Sequence, residues 1–414
     1  MQMTFADFIL QHEADDPVRL LLSREKYPGI DLDQAVTTLE VRKKLKSKVP
    51  EWYAIPSLIY PSRLSGEQCS SSGTARYKAA VALSHAGRSG KAVKVADLTG
   101  GMGVDSWAFA AVAGEVLYNE MQEKLEEATR SNFRELGVEN VKFSCRKVEK
   151  GKVEEVLDGF EPDVIFLDPA RRAEDGRKVF LIEECQPDVL GLLPELFAAS
   201  RYVLLKLSPM ADITMACKRL GEHVREVHIV AAGGECKELL FLLDREWDGN
   251  CSMFVVEDGA VMEIPGQARN DGEGQARNDG KYGIPRAGDV LFEPGKALAK
   301  AGAFELPCRY GLTKLGVHTH LYTGEAVPEG LGAFGKWFEI VEVLPMNNRT
   351  MKEAGKRWPQ AEVTARNVPM TSDLLRKKLG CSSGGDIHLF GVRVDAASGA
   401  GNYLIVTKKR YGTN

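Results

Sequence analysis

The 414-residue chain has no apolar run approaching the roughly 20 residues that cross a bilayer. Between Met1 and Leu22 it carries Asp7, Glu13, Asp15 and Asp16, where a secretory leader would have a basic start and an apolar core. A cytoplasmic chain with no membrane partner is therefore expected. The eight cysteines, at 69, 145, 185, 217, 236, 251, 308 and 381, form no Cys-x-x-Cys pair and show no zinc spacing. That excludes a zinc ribbon and predicts reduced, mostly buried thiols and no metal. Neither sign of charge dominates: 54 Lys and Arg face 58 Asp and Glu, a net charge of -4. With 44% hydrophobic and 27% charged residues, the composition is that of a globular chain of two or three domains.

What is present is a glycine loop, Val95-Ala-Asp-Leu-Thr-Gly-Gly-Met-Gly-Val-Asp105. Val93, Val95 and Leu98 read as a buried strand, and Gly100, Gly101 and Gly103 let the backbone turn and approach a ligand closely. Trp107 to Val112 reads as the helix that follows. The dinucleotide fingerprint Gly-x-Gly-x-x-Gly is not met, because Ser106 stands at its third position. Asp97 would repel a phosphate but attract an ammonium group. Glu120, at the end of a second strand from Gly114, is placed to accept hydrogen bonds from both ribose hydroxyls. The loop thus favours S-adenosylmethionine over a dinucleotide.

Strand and helix then alternate. Met121 to Leu136 reads as a helix, Val141 to Ser144 as a third strand, and Asp163 to Leu167 as a fourth leading into Asp168-Pro-Ala-Arg-Arg172. Three more strands complete a seven-stranded sheet, parallel except where its last two strands pair as a hairpin across Gly233-Gly234. The expected class is α/β, a Rossmann-like sheet with a helical N-terminal region and a small α+β C-terminal domain. The expected segments are 1–90 (helical), 91–246 (the sheet domain), 247–336 (a β-rich connection) and 337–414. Among the N-terminal helices, Pro17 to Lys26 and Asp31 to Lys48 are expected to be continuous, and Gln68 to Lys78 should be a loop capping a helix. Gln267-Ala-Arg-Asn-Asp-Gly and Gln275-Ala-Arg-Asn-Asp-Gly are tandem copies of a polar motif, predicting an expanded, mobile loop over 266–283. From Phe338 onward 12 Lys and Arg face 7 Asp and Glu, against 42 and 51 before it, a mild pointer to a polyanion or simply a solvated surface.

Taken together, Asp97-Leu-Thr-Gly-Gly-Met-Gly-Val-Asp105 and Asp168-Pro-Ala-Arg-Arg172 resemble the class I S-adenosylmethionine-dependent methyltransferases. More narrowly, they resemble a bacterial group with a THUMP-like C-terminal domain. The resemblance extends to Glu67-Gln-Cys-Ser-Ser71, Leu291-Phe-Glu-Pro-Gly295 and Ser382-Ser-Gly-Gly-Asp386. It implies that Asp97, Thr99, Gly100, Gly101, Gly103 and Asp105 line the cofactor and that Glu120 is the ribose-binding acid. THUMP domains bind RNA, so it also implies tRNA or rRNA modification. Where many members carry an acid for the adenine amino group, this chain has Cys145-Arg146-Lys147.

Methyl transfer needs an aligned acceptor and stabilisation of its developing charge. In amino methyltransferases an Asp/Asn-Pro-Pro-aromatic motif accepts hydrogen bonds from the amine. Asp168 and the Pro169 carbonyl could act likewise, while Ala170, Arg171 and Arg172 replace the aromatic and would contact substrate. Uridine C5 chemistry needs a cysteine after the fifth strand, where this chain has Lys206-Leu-Ser-Pro209. An exocyclic base nitrogen is the expected acceptor. The alternatives are a non-catalytic RNA-binding protein retaining a cofactor pocket, and a methyltransferase for a small molecule or protein. His318 and His320 share one face of a possible strand but lack a third metal ligand.

Overall fold

The computed structural model describes residues 3–87, 92–171, 182–265 and 282–410. The chain forms two compact units, Met1–Val227 with Glu238–Cys251, and His228–Lys237 with Ser252–Asn414.

The first unit opens with α1 (Phe5–Gln11), α2 (Pro17–Leu22), α3 (Leu32–Lys48), α4 (Pro50–Tyr53), α5 (Arg63–Gln68) and α6 (Ser72–Ala86). Each helix start is set by local chemistry: Asp16 caps α2 with Pro17 at its first position, Asp31 caps α3, and Ser71 and Thr74 form a reciprocal capping box on α6. The helix expected over Pro17–Lys26 ends at Leu22 and is followed by a separate 3-10 turn at Arg24–Lys26. These helices are not a domain of their own. Trp52 meets Trp107 and Phe133 edge-on at 6.2 and 6.3 Å, and Asn132 exchanges two hydrogen bonds with the Ile59 backbone.

The sheet follows as β1 (Lys94–Asp97), α7 (Val104–Ala110), β2 (Glu115–Asn119), α8 (Glu123–Glu135), β3 (Val141–Ser144), α9 (Val153–Leu157) and β4 (Val164–Leu167). A two-stranded ribbon, β5 (Ala170–Arg171) with β6 (Cys185–Gln186), precedes α10 (Val189–Ala199), β7 (Tyr202–Leu207), α11 (Ile213–Leu220), β8 (Val224–Ala232) and β9 (Glu235–Asp244). The strand order is β3-β2-β1-β4-β7-β9-β8. β1, β2, β3, β4 and β7 pair in parallel, and β9 runs antiparallel to β7. This is the Rossmann-like sheet, with its reversed hairpin turning at Gly233 and Gly234, and the seven strands expected are extended past β8 by Ser252–Glu257 and Ala260–Ile264 into a sheet of nine. The helix expected from Trp107 begins at Val104, because Gly103, at φ 82°, completes the turn and leaves the next residue free to start it.

The second unit holds β10 (Ser252–Glu257), β11 (Ala260–Ile264), β12 (Val290–Pro294), α12 (Lys296–Lys300), α13 (Leu306–Arg309), β13 (Thr313–Lys314), β14 (Tyr322–Gly324) and β15 (Gly335–Pro345). It ends with α14 (Asn348–Arg357), β16 (Glu362–Arg366), α15 (Ser372–Leu379), β17 (Ile387–Val394) and β18 (Gly401–Lys409). Alternation along the strands builds a core on each face. Phe390, Val392 and Ile405 pack on one, while Leu389, Leu404 and Val406 meet Met351 and Leu375 of the helices on the other. The helix and strand order expected after residue 337 is present. The boundary expected at 336/337, however, falls inside one seven-stranded sheet, β13-β14-β12-β15-β18-β17-β16, in which β12 pairs directly with β15. The repeat loop expected over 266–283 lies, up to residue 281, outside the described residues.

Candidate active site

The carboxyl ends of the parallel strands deliver the candidate residues to one edge of the first unit. Asp97 closes β1, Glu120 follows β2, Asp168 follows β4, and Lys206 stands at the end of β7. The loop between Asp97 and Gly103 is held from inside. Asp97 accepts from the Thr99 amide at 3.1 Å and from the Ser106 hydroxyl at 2.6 Å. Its carboxyl is buried, and burial pushes its pKa up to about 8, with Asp105 and Asp168 adding to the rise. Glu120 is also buried and accepts from the Gly101 amide at 3.0 Å and the Gln122 amide at 2.9 Å.

The glycines divide by task. A side chain on Gly100 would lie 2.2 Å from the Tyr118 ring, so that position is needed for packing. Gly101, at φ 55°, meets nothing nearer than the Thr99 carbonyl at 4.0 Å and faces open space. Glu120 meets this loop at the Gly101 amide and Asp97 at the Thr99 amide, and both buried carboxyls keep spare lone pairs. An uncharged acid out of water regains its ionisation when a cation arrives beside it. The residues therefore fit a ligand that brings an ammonium group to Asp97 and hydroxyls to Glu120.

Thr99 acts as a strut. Its hydroxyl accepts from the Asp168 amide at 2.6 Å, tying the glycine loop to the segment after β4. Pro169 is buried, Ala170 is exposed, and the backbone of Arg171 pairs with Cys185. Arg172 lies outside the described residues.

Asn119, Lys78 and Glu238, to which the sequence does not point, complete the site together with Lys206. Asn119 donates to the carbonyls of Leu98 and Arg146 and accepts from the Arg146 amide, stitching the segment Cys145–Lys147 to the loop. Lys78 of α6 is fully buried. Its Nζ donates to both oxygens of Glu238, at 2.9 and 2.8 Å, and to the Ser70 hydroxyl at 2.8 Å. It also lies 3.1 Å from Asp105, whose other oxygen accepts from Ser70 at 2.8 Å. Asp105 is thereby drawn into this network. Burial raises the Glu238 carboxyl above its ordinary range despite the Lys78 partner. Lys206 forms an ion pair with Asp168. Burial alone would lower the Lys206 ammonium, but Asp168, Glu238 and Asp105 together hold it well above its ordinary value.

A groove of about 690 Å³ lies at the opposite ends of these strands, lined by Arg201, Arg225 and Arg245. Arg201 and Arg225 are bound to Asp244, and Arg245 donates to the Phe197 carbonyl. The groove lacks the paired acids of the glycine-loop edge. His320 stacks on Phe304 at 3.7 Å, with burial pushing its pKa down to about 4. Among the described residues no group of three or more His, Cys, Asp or Glu could hold a metal ion, and no helix is long and apolar enough to cross a membrane.

The strand order and the glycine-loop edge define a class I methyltransferase fold. A family profile described as THUMP domain-like matches residues 335–409, and one described as a ferredoxin-like domain matches 291–330. The crystal structure of a proposed methyltransferase from Porphyromonas gingivalis W83 is 30% identical, with 99% of this chain and 98% of that one covered and a TM-score of 0.81. An rRNA methylase from Streptococcus thermophilus is 14% identical over 41% of this chain and 94% of its own, with a TM-score of 0.29. No curated protein sequence matches the chain. The chain belongs to the family of class I S-adenosylmethionine-dependent methyltransferases that carry a THUMP-like C-terminal domain.

Proposed function

We propose that this protein transfers a methyl group from S-adenosylmethionine to RNA, either tRNA or rRNA. The observation that carries the reading is the Thr99–Asp168 hydrogen bond, which fixes a polar acceptor-side residue to the loop suited to the donor. Asp97 would hold the ammonium of S-adenosylmethionine, Gly101 would allow its close approach, and Glu120 would take the ribose hydroxyls. When bound, the cofactor supplies an electrophilic methyl group on a sulfonium. The protein's own share of the work is alignment: Asp168 and the Pro169 carbonyl face the incoming acceptor, while Thr99 sets their distance from the donor loop. RNA as the substrate is supported by the THUMP-like module and its excess of Lys and Arg.

Incubation of the full chain with tritiated-methyl S-adenosylmethionine and fractionated RNA from cells lacking the protein should give labelled RNA. Asp168→Ala should reduce the label by about 100-fold or more. Tight cofactor binding with no label in any RNA would instead favour the non-catalytic RNA-binding reading. Label confined to protein or small molecules would favour the third reading.

A further inference from the structure

The acceptor side of the site is unusual in its charge. Four separate elements bring two lysines and their carboxylates together: the buried pair of Lys78 from α6 with Glu238 from β9, and the partly exposed pair of Lys206 from β7 with Asp168 after β4. The β7–β9 register, Lys206 opposite Leu240, puts Glu238 on the same face as Lys206 and one diagonal step away, so the two pairs belong to one cluster. Taking such groups out of water is costly, and well-packed apolar residues would stabilise the fold at least as well. Their retention at the ends of the strands points to chemistry.

The charges discriminate between acceptor atoms. When a neutral amine attacks a sulfonium methyl, positive charge grows on nitrogen, and its N–H groups need acceptors with uncommitted lone pairs. Asp168 already carries an ammonium, and a fixed positive charge beside a growing one opposes the reaction. When a hydroxyl attacks, it sheds a proton and negative charge grows on oxygen. A neighbouring ammonium stabilises that charge, and a carboxylate beside it receives the proton. Lys206 stays an ammonium because Asp168, Glu238 and Asp105 outweigh its burial, so it serves as the cation and not as the base.

We infer that the Asp168–Lys206 pair, supported by Lys78 and Glu238, assigns the acceptor as a hydroxyl oxygen, and in RNA as a ribose 2′-hydroxyl. The inference rests on the RNA methyltransferase reading above and replaces the exocyclic nitrogen expected from the sequence. Within an RNA strand the 2′-hydroxyl is the one free hydroxyl of each internal nucleotide. As the O–C bond forms, the donor's C–S bond breaks with its electron pair remaining on sulfur, and the hydroxyl proton passes to the Asp168 carboxylate and on to solvent. Lys206 holds the oxygen as its charge grows. Lys78 is a positioning residue that fixes Glu238 and Asp105 around Lys206.

The test is alkaline hydrolysis of RNA labelled by the full chain with tritiated-methyl donor. A methylated 2′-oxygen blocks cleavage at its own phosphodiester, so the label should appear in alkali-stable dinucleotides. Label released wholly in mononucleotides carrying a methylated base overturns this inference and leaves the RNA methyltransferase reading intact. Absence of label from all RNA overturns both. As a second measurement, Lys206→Met should cut turnover by about 100-fold or more while its thermal midpoint and its affinity for S-adenosylhomocysteine stay near wild type. Lys206→Arg, which keeps the charge, should recover part of the loss. A folded Lys206→Met protein that binds S-adenosylhomocysteine and turns over like wild type sinks the assignment.

Discussion

Asp97 shows how one side chain can be both structural and poised for a ligand. Its two oxygens already hold Thr99 and Ser106, and its burial pushes its pKa up to about 8. At neutral pH the free protein therefore keeps this proton, and on the reading proposed above a ligand ammonium arriving beside it drives the proton off. Binding of S-adenosylhomocysteine, which carries the same ammonium, is expected to release a proton below about pH 8. Affinity should weaken, by up to about tenfold per unit, as pH falls through the neutral range. Calorimetry in buffers of differing ionisation enthalpy measures the proton count directly. A pH-independent affinity, or proton uptake, would refute this role. The loop around Asp97 was legible in the sequence because its chemistry is local: a strand, its glycines and an acid lie within nine residues of one another. The assignment of Thr99 was less legible. Its hydroxyl supports Asp168, 69 positions away, and nothing near Thr99 in the sequence signals that partner.

At the scale of elements, the Lys78–Glu238 bridge joins a helix that precedes the sheet to β9, the last strand of the first unit in chain order. Removing one partner leaves the other buried without compensation. Lys78→Met is expected to lower stability by about 3–5 kcal/mol, read from urea unfolding, and pairing it with Glu238→Gln should restore part of the loss. Additive losses in the double variant would show that the two side chains do not act as a unit. This network was not readable from sequence. Glu238 opens a run that reads simply as a buried strand, Lys78 lies in an alanine-rich helix, and 160 residues separate them. In the sequence Lys206 stands where a nucleophilic cysteine is absent and two places from Ser208, and neither feature signals Asp168 as its partner. That the sheet of the C-terminal module starts before residue 337 was hidden for a related reason. Pairing of β12 with β15 is a long-range choice of partner, whereas the strands and helices after residue 337 follow from local periodicity.

At the scale of the whole molecule, the second unit carries exposed cations on α14 and α15, among them Lys352, Lys356, Lys377 and Lys378. If this unit contacts the RNA backbone, affinity should fall steeply with salt. Replacing Lys377 and Lys378 with glutamate should then reduce the slope of log affinity against log salt by about 2 without changing affinity for S-adenosylhomocysteine. Filter binding across a salt series tests this, and an unchanged slope would place the RNA contacts elsewhere. The Lys78–Glu238 bridge has one more consequence, for synthesis. α6 leaves the ribosome long before β9, so its lysine must stay hydrated while most of the first unit is still being made. Only when the last strand arrives can that charge be sealed inside. The Lys78–Glu238 cluster is consequently among the last parts of the unit to form, and on the reading proposed above a nascent or truncated chain has no finished site with which to act on the RNA that surrounds it during translation.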